Sequence, residues 1–164
     1  MASCIYKFIN MESPNSLKQV AEFHSTFGHP ILETPQLPSE KRSALRVSLL
    51  AEELEELKQA IADNNIVEVA DALCDLQYVL SGAILEFGLA DKFKSLFEEV
   101  HRSNMSKACV NEDEAKATVE HYLKNYNAKA YYKEVDGKWL VFREDDNKTL
   151  KSINYSPADL ASKI

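Results

Sequence analysis

Apolar residues recur every three or four positions along most of the chain up to Tyr126, the spacing of α-helices with one buried face. The first such segment begins near Pro14 and ends at Gly28, a residue that favours the left-handed conformation common after a helix. The next segment, His29 to Ser39, holds three of the five prolines. It therefore predicts an ordered loop without helix.

Two longer helical segments follow, separated by Asp63–Asn65. Ser39 is a suitable N-cap for the first of them. Asn65 is suitable for the second, and Glu68 follows three residues later, as in a capping box. The second segment extends to Gly88 and its apolar residues cover more than one stripe, so we expect a largely buried helix. The short connection predicts that the two helices pack as antiparallel neighbours.

The remaining chain predicts two shorter helices and then a change of period. Asp91 can cap a fourth helix, and a fifth fits Glu112 to Tyr126. Beyond it, two β-prone runs flank Asp136–Gly137, a dipeptide that favours a tight hairpin turn. The prediction is an all-α protein, an antiparallel bundle of four to five helices with a small C-terminal β-hairpin.

The length of 164 residues suits one compact domain with a short appendage. We therefore predict a single domain over residues 1–164. Its helical core would occupy about 14–127, and the hairpin and tail about 128–164.

Composition and charge limit the classes of partner and the cellular compartment that we expect for this protein. The formal net charge of −7 argues against non-specific nucleic-acid binding, although a bound metal ion can still attract a small anion. Met1–Asn10 lacks the apolar run of a signal peptide, and no stretch approaches the roughly 18 apolar residues of a membrane span. Cys4, Cys74 and Cys109 form no metal-binding or disulfide pattern. We expect a cytoplasmic protein with reduced thiols and neither a membrane nor a nucleic-acid partner.

Six carboxylates lie along one face of the second and third helices, namely Glu52, Glu53, Glu56, Glu68, Asp71 and Asp75. Antiparallel packing allows the two acidic stripes to face each other. Asp71 and Asp75 interrupt an apolar run, where unpaired carboxylates are costly, so a positive group must lie near them. Several carboxylate oxygens suit Mg²⁺ together with substrate phosphates. A solvated acidic face, with Glu68 as a capping residue only, is the alternative.

The two acidic blocks resemble the motif of the all-α NTP pyrophosphohydrolase superfamily, the MazG-like and phosphoribosyl-ATP pyrophosphohydrolase-like proteins. The motif E-E-x-x-E followed by E-x-x-D is matched here by Glu52–Glu56 and Glu68–Asp71, and Asp75 extends the second block. The block Glu99–Lys107 and the tail Asp136–Leu160 are similar to segments of one branch of this superfamily. The stretch 109–130 is longer than the usual linker, and no role is assigned to it.

The resemblance implies hydrolysis of a nucleoside triphosphate, a dNTP or a non-standard NTP, to a monophosphate and pyrophosphate. It implies Mg²⁺ as cofactor, with Mn²⁺ as an alternative ion. We assign Glu53, Glu56 and Asp71 as metal ligands, with Glu52, Glu68 and Asp75 in the same or the next coordination sphere. Glu53 is our choice for the group that orients or deprotonates the attacking water.

Further residues are candidates for contacts with the substrate. The resemblance implies that Asn104 and Lys107 contact phosphates or sugar, although Lys107 could instead be an ordinary cation at a helix C-terminus. Candidates for the nucleobase pocket are His24, Phe27 and Tyr78, because aromatic faces stack on bases. Core packing is at least as good an explanation for Phe27. The family also implies a homo-oligomer, most simply a dimer.

Three alternatives remain open from the sequence. A di-iron carboxylate bundle usually needs two Glu-x-x-His motifs, and this chain has one, Glu98 to His101. A regulator that binds nucleotide or metal without turnover is compatible with both acidic blocks. Within the enzyme class, phosphoribosyl-ATP pyrophosphohydrolysis is the second candidate.

Overall fold

A computed structural model describes residues 12–164, so the expectations for Met1–Asn10 and Cys4 lie outside the described residues. This part of the chain forms helices α1 to α5 and strands β1 and β2. Their bounds are α1 Ser16–Phe27, α2 Glu40–Ala62, α3 Ile66–Glu86, α4 Ala90–Met105, α5 Glu112–Tyr126, β1 Ala130–Val135 and β2 Lys138–Arg143. The prediction of an all-α bundle with a C-terminal hairpin is confirmed.

The chain divides into two compact units, Met1–Phe93 and Lys94–Ile164. The first unit contains α1 to α3 and the start of α4, and the second contains the rest of α4, α5 and the hairpin. The single domain over residues 1–164 stays a prediction. Within the described residues no single helix is long and apolar enough to cross a membrane, and only the bent pair of α3 and α4 meets that test together.

The proline-rich loop between α1 and α2 is held by long-range backbone bonds. Gly28 ends α1 in the left-handed conformation, with φ of 71°. Further along, the N–H of Leu32 donates to the carbonyl of Leu85 at 3.0 Å, and the N–H of Gln36 donates to that of Phe87 at 3.1 Å. These bonds satisfy groups of the loop and of the end of α3, and they confirm the prediction of an ordered loop.

The predicted helix caps are borne out in part. The Asn65 side chain accepts from the N–H groups of Val67 and Glu68, as expected of an N-cap. The reciprocal half of the capping box is absent, because the Asn65 N–H instead donates to Ala60. Ser39 is the N-cap residue of α2, as predicted, but its side chain makes no capping hydrogen bond.

The expectation that α3 is largely buried holds only for its second half. Residues Ser81–Glu86 are buried where α1 and α2 pack beside them. In the first half, Ile66, Val67 and Leu73 are each more than half exposed. The reason is that the described chain provides no helix that covers the outer side of this half.

The start of α4 also differs from the expectation. The helix begins at Ala90, so Asp91 lies inside the first turn rather than at the cap. A carboxylate there still interacts favourably with the helix dipole.

The second unit is organised around a small core between α5 and the hairpin. Cys109, Ala115, Val141 and Leu150 form this core, and Trp139 packs against it. At the predicted hairpin turn, Asp136 and Gly137 both adopt positive φ, 52° and 76°. The hairpin prediction is therefore confirmed. The thiols of Cys109, buried, and Cys74, exposed in the first unit, are both free.

Candidate functional site

A cavity of about 480 Å³ opens in the first unit between α1, the loop after it, α2 and α3. This volume lies within the range of about 300–1,000 Å³ typical of small-molecule sites. Its walls are formed by Val20, Phe23, His24, His29, Leu45, Arg46, Leu49, Glu53, Asp75, Tyr78, Val79 and Gly82. A larger groove of about 650 Å³ beside it is mostly apolar and contains none of the six motif carboxylates. The smaller cavity, which contains Glu53 and Asp75, is therefore the candidate active site.

One end of the cavity is acidic. Glu53 from α2 and Asp75 from α3 both line it. Burial raises the pKa of Glu53, and the negative charges of Asp75, Glu56, Glu52 and Asp71 raise it further. The two acidic stripes therefore lie within electrostatic reach of each other, as antiparallel packing of α2 and α3 predicts.

The chemistry of the six carboxylates can be compared with that of a divalent-cation site. In the described part of the chain, none of their side chains has a hydrogen-bond or ion-pair partner. Among the residues described, no group of three or more Asp, Glu, His or Cys side chains is close enough together to hold a metal ion as it stands. Glu68 lies exposed in the first turn of α3. Unpartnered carboxylate oxygens are what Mg²⁺ takes, so the chemistry of the set fits this ion.

The other end of the cavity is aromatic. The ring of Phe23 lies 5.6 Å from that of Tyr78, edge to face, and 5.7 Å from that of His29, stacked. His24 lines the same wall, 5.4 Å from His29. Phe27 is not part of the wall: its side chain is 64% exposed, with its ring 4.5 Å from that of Phe23.

The cavity wall contains His24 and Tyr78, which the sequence analysis named as candidates, and also Phe23 and His29, which it did not name. Phe23 could have been found, because it precedes Phe27 by four residues on the same face of α1.

The hydrogen bonds of His24 define its tautomer. Nδ1 lies 2.9 Å from the carbonyl oxygen of Pro30 and therefore carries the proton. Burial lowers the pKa of His24, and the bond to Pro30 opposes this effect only in part. The ring is therefore neutral at pH 7, and Nε2 is left as a hydrogen-bond acceptor at the cavity wall.

A buried ion-pair cluster, Arg42, Arg46 and Glu86, lies beside the aromatic end. The Glu86 side chain is fully buried and accepts from Arg42 Nε at 2.9 Å, from Arg42 Nη2 and from Arg46 Nη2. Burial alone would raise the pKa of Glu86, but the hydrogen bonds from both arginines outweigh it and lower the pKa. We did not predict this cluster. The argument that singled out Asp71, an acid within an apolar run, applies equally to Glu86.

Arg46 is the member of this cluster that reaches the cavity. Its Nε is enclosed and, among the residues described, is the one buried side-chain nitrogen or oxygen without a partner. A Cβ on Gly82 would lie 2.7 Å from Arg46 Nη1 and 3.1 Å from His24 Nε2. The absence of a side chain at Gly82 is therefore what lets the guanidinium and the imidazole approach α3 together.

Asn104 and Lys107 belong to the second unit. Lys107 Nζ donates to Asn104 Oδ1 at 2.7 Å, close to the end of α4. Their contact with substrate phosphates stays a prediction.

Two acidic blocks on adjacent antiparallel helices, beside an aromatic cavity in an all-α bundle, define a class: the all-α NTP pyrophosphohydrolases. The family model for phosphoribosyl-ATP pyrophosphohydrolase matches residues 20–104, about half of the chain. The chain belongs to this family. It is therefore a hydrolase that acts on phosphoric anhydride bonds of nucleotides.

The match covers every residue that lines the acidic and aromatic cavity, and it ends before Lys107 and the hairpin. The chain is also similar to an uncharacterized protein of Acanthamoeba polyphaga mimivirus. The two are 26% identical over an alignment that covers 88% of this chain and 94% of the relative.

Proposed function

We propose that the protein catalyses the Mg²⁺-dependent hydrolysis of a nucleoside triphosphate, a dNTP or a non-standard NTP, to a nucleoside monophosphate and pyrophosphate. The observation that supports this proposal most directly is the shared cavity. Its walls present Glu53 and Asp75 at one end and the rings of Phe23 and Tyr78 at the other. A nucleotide has two corresponding parts: a phosphate chain, which Mg²⁺ would bridge to the carboxylates, and a flat base, which the rings would contact.

The acidic end would hold the metal and the water. Glu53, Glu56 and Asp71 would be the ligands, supported by Glu52, Glu68 and Asp75. Mg²⁺ held there would neutralise phosphate oxygens and lower the pKa of a coordinated water. Glu53 would orient the water that attacks the α-phosphorus or accept its proton, and pyrophosphate would leave as the new bond to the water oxygen forms.

The aromatic end would hold the nucleobase. Seven residues of α2, about 10 Å of helix, separate Arg46 from Glu53, so a substrate with its phosphates at the carboxylates extends its base toward Arg46. The rings of Phe23 and Tyr78 offer apolar faces to that base. His24 Nε2 can accept a hydrogen bond and Arg46 Nη1 can donate one, so the two side chains can bind the polar edge of the base.

The test is pyrophosphate release from a panel of nucleoside triphosphates, with Mg²⁺ or with EDTA. Glu56→Gln and Asp71→Asn should each abolish turnover, while the far-ultraviolet circular dichroism spectrum stays helical. Glu55→Gln is the matched control, because Glu55 is on the same helix but pairs with Lys58 in solvent; it should keep wild-type turnover. Near-normal turnover of either active-site variant would refute the assignment.

Phosphoribosyl-ATP belongs in the panel, because the family model is named after hydrolysis of that compound. Turnover of phosphoribosyl-ATP above all triphosphates would replace our proposal with this second candidate. Binding of nucleotide without release of pyrophosphate from any member would instead indicate a non-catalytic regulator.

We also propose a homodimer or higher homo-oligomer. Apolar side chains on α2 and α3 remain exposed in the single chain, among them Leu54, Ile61, Ile66, Val67 and Leu73. Subunit packing is a common use of such a surface. Light scattering that shows a monomer at micromolar concentration would contradict this proposal.

A further inference from the structure

A second polar cavity, of about 370 Å³, lies in the second unit. Its walls are formed by Lys107, Tyr122, Tyr126, Arg143, Lys148, Thr149, Leu150 and Lys151. It shares no lining residue with the cavity of the first unit. Four of its eight lining residues are cations, which is unusual in a chain with a net charge of −7.

The charge at this cavity does not follow from the composition of the second unit. Residues 94–164 contain 12 Lys or Arg and 12 Asp or Glu, so the whole acidic excess lies in residues 1–93. Arg143 is neutralised by Asp146, whose carboxylate oxygen lies 2.6 Å from its guanidinium. That pairing leaves Lys107, Lys148 and Lys151 as the positive charges around the cavity.

In the part of the chain that the structure describes, none of these three ammonium groups forms an ion pair, although the charge of Lys148 helps to lower the pKa of Asp146. Lys107 Nζ is bonded to the neutral amide of Asn104, and Lys151 Nζ lies 4.3 Å from the centre of the Tyr155 ring. Ammonium groups gathered around one cavity repel each other, and an anion in the cavity would remove that cost.

Two tyrosines form the aromatic part of the wall. The rings of Tyr122 and Tyr126 lie 5.4 Å apart and tilted by 33°. The Tyr122 hydroxyl accepts from the Lys151 N–H at 3.2 Å, which fixes this ring beside the cations. Tyr126 is 66% exposed, so its ring can receive a planar ligand.

We propose that this cavity is a second ligand site, which binds a nucleoside phosphate. Lys148 and Lys151 contact the phosphate oxygens as point charges. The ring of Tyr126 stacks on the base. The exposed acids Glu144 and Asp145 follow Arg143 directly, so the basic surface ends at the cavity, which suits a mononucleotide rather than a nucleic-acid strand.

The test is calorimetric titration of the full chain in EDTA with a non-hydrolysable nucleoside triphosphate analogue. The wild type should bind saturably at one site. Lys148→Glu and Lys151→Glu should each weaken binding by at least about tenfold, because each replaces a phosphate contact by repulsion. Lys138→Glu makes the same charge change on the exposed part of the hairpin and should alter affinity by less than about twofold. Absence of saturable binding, or equal weakening by the control, would overturn the proposal.

Two further arms identify the ligand and the site. Tyr126→Ala should weaken binding of the nucleotide analogue but not of inorganic pyrophosphate; equal effects on both would exclude base recognition. Phe23→Ala, which alters the cavity of the first unit, should leave the metal-free affinity unchanged, and loss of binding in this variant would show that the nucleotide binds in the first unit instead. If no nucleotide releases pyrophosphate while lysine-dependent binding persists, the proposed catalytic function fails and this second site stands.

Discussion

Along the helix pair α2 and α3, carboxylate charge is compensated by arginines at one place and left, within the described residues, without an ion-pair partner at another. Near the start of α2, the carboxylate of Glu86 is buried and bonded to Arg42 and Arg46. Farther along, Glu53 and Asp75 meet at the cavity and their side chains have no cation among the described residues. The arginine cluster satisfies its charges within the fold. The carboxylate cluster leaves its charges for a ligand, so the two should respond oppositely to loss of an acid.

Loss of the acid from the arginine cluster should have the largest effect. Glu86→Ala leaves two arginines without their carboxylate, one of them buried. Breaking a buried pair in this way costs about 3–5 kcal/mol of the free energy of unfolding. Urea denaturation measures it. Glu55→Ala, which removes an exposed acid from α2, should cost at most about 0.5 kcal/mol. Similar losses in the two variants would remove the contrast between buried and exposed acids.

Magnesium should act only through the carboxylate cluster. At 100 times its Kd, an ion that binds only the native state adds about 2.7 kcal/mol to the free energy of unfolding. Thermal melts with and without Mg²⁺ should show this shift in the wild type and most of it missing in Asp71→Asn. An unchanged magnesium shift in that variant would mean that the ion binds elsewhere.

Gly82→Ala tests how tightly the arginine cluster is packed. The new Cβ would lie 2.7 Å from Arg46 Nη1 and 3.1 Å from His24 Nε2, so both side chains must move. We expect a loss of about 1–3 kcal/mol, the usual cost of overpacking. The affinity for substrate should fall as well, since both side chains line the cavity. Stability within about 0.5 kcal/mol of the wild type would show that the guanidinium moves freely.

The smallest expected effect is a pH-dependent change in the stability of the metal-free protein. A carboxyl group with a raised pKa contributes stability below its unfolded pKa and loses it as pH rises through the folded value, so Glu53 costs stability at neutral pH. Asp71→Asn removes one source of that shift and should stabilise the metal-free form by a few tenths of a kcal/mol. The gain should shrink as pH falls toward 4.5, the ordinary pKa of Glu53.

The opposite sign is expected at Glu86. Its pKa is lowered, so its contribution is present above 4.5 and is lost as pH falls through the folded value. Denaturation curves recorded from neutral pH to below 4 separate the two trends. If Asp71→Asn melts at a lower temperature than the wild type without metal at pH 7, the inference that facing carboxylates destabilise the metal-free protein is wrong.

The sequence predicted features that depend on local chemistry. Helix periodicity placed α5 at Glu112–Tyr126, and Asp136–Gly137 marked the hairpin turn, because both signals depend on neighbouring residues alone. Ser39 occupies the N-cap position of α2 as predicted, but its side chain makes no capping bond, because that bond depends on the path of the preceding loop. The burial of α3 was overestimated, since amphipathic pattern shows which faces are apolar and not whether anything covers them.

The site was predictable to a similar degree. The acidic stripes follow from i, i+3 and i+4 spacing and from one short connection, and two of their predicted members, Glu53 and Asp75, line the cavity. Arg42 and Glu86 are 44 residues apart in sequence, and no local pattern pairs them. His29 reaches the cavity through a loop whose course depends on contacts with α3, which also lies beyond local rules.

The anchoring of the proline-rich loop has a consequence for the timescale of motion. The amide hydrogens of Leu32 and Gln36 are bonded to carbonyls at the end of α3, so they exchange with solvent only when that contact opens. Gly88 tightens the same junction, because a Cβ there would lie 1.9 Å from the carbonyl oxygen of Thr34. Although it has no regular secondary structure, the loop should open together with α3 as one cooperative unit, and hydrogen exchange should show equal protection in both.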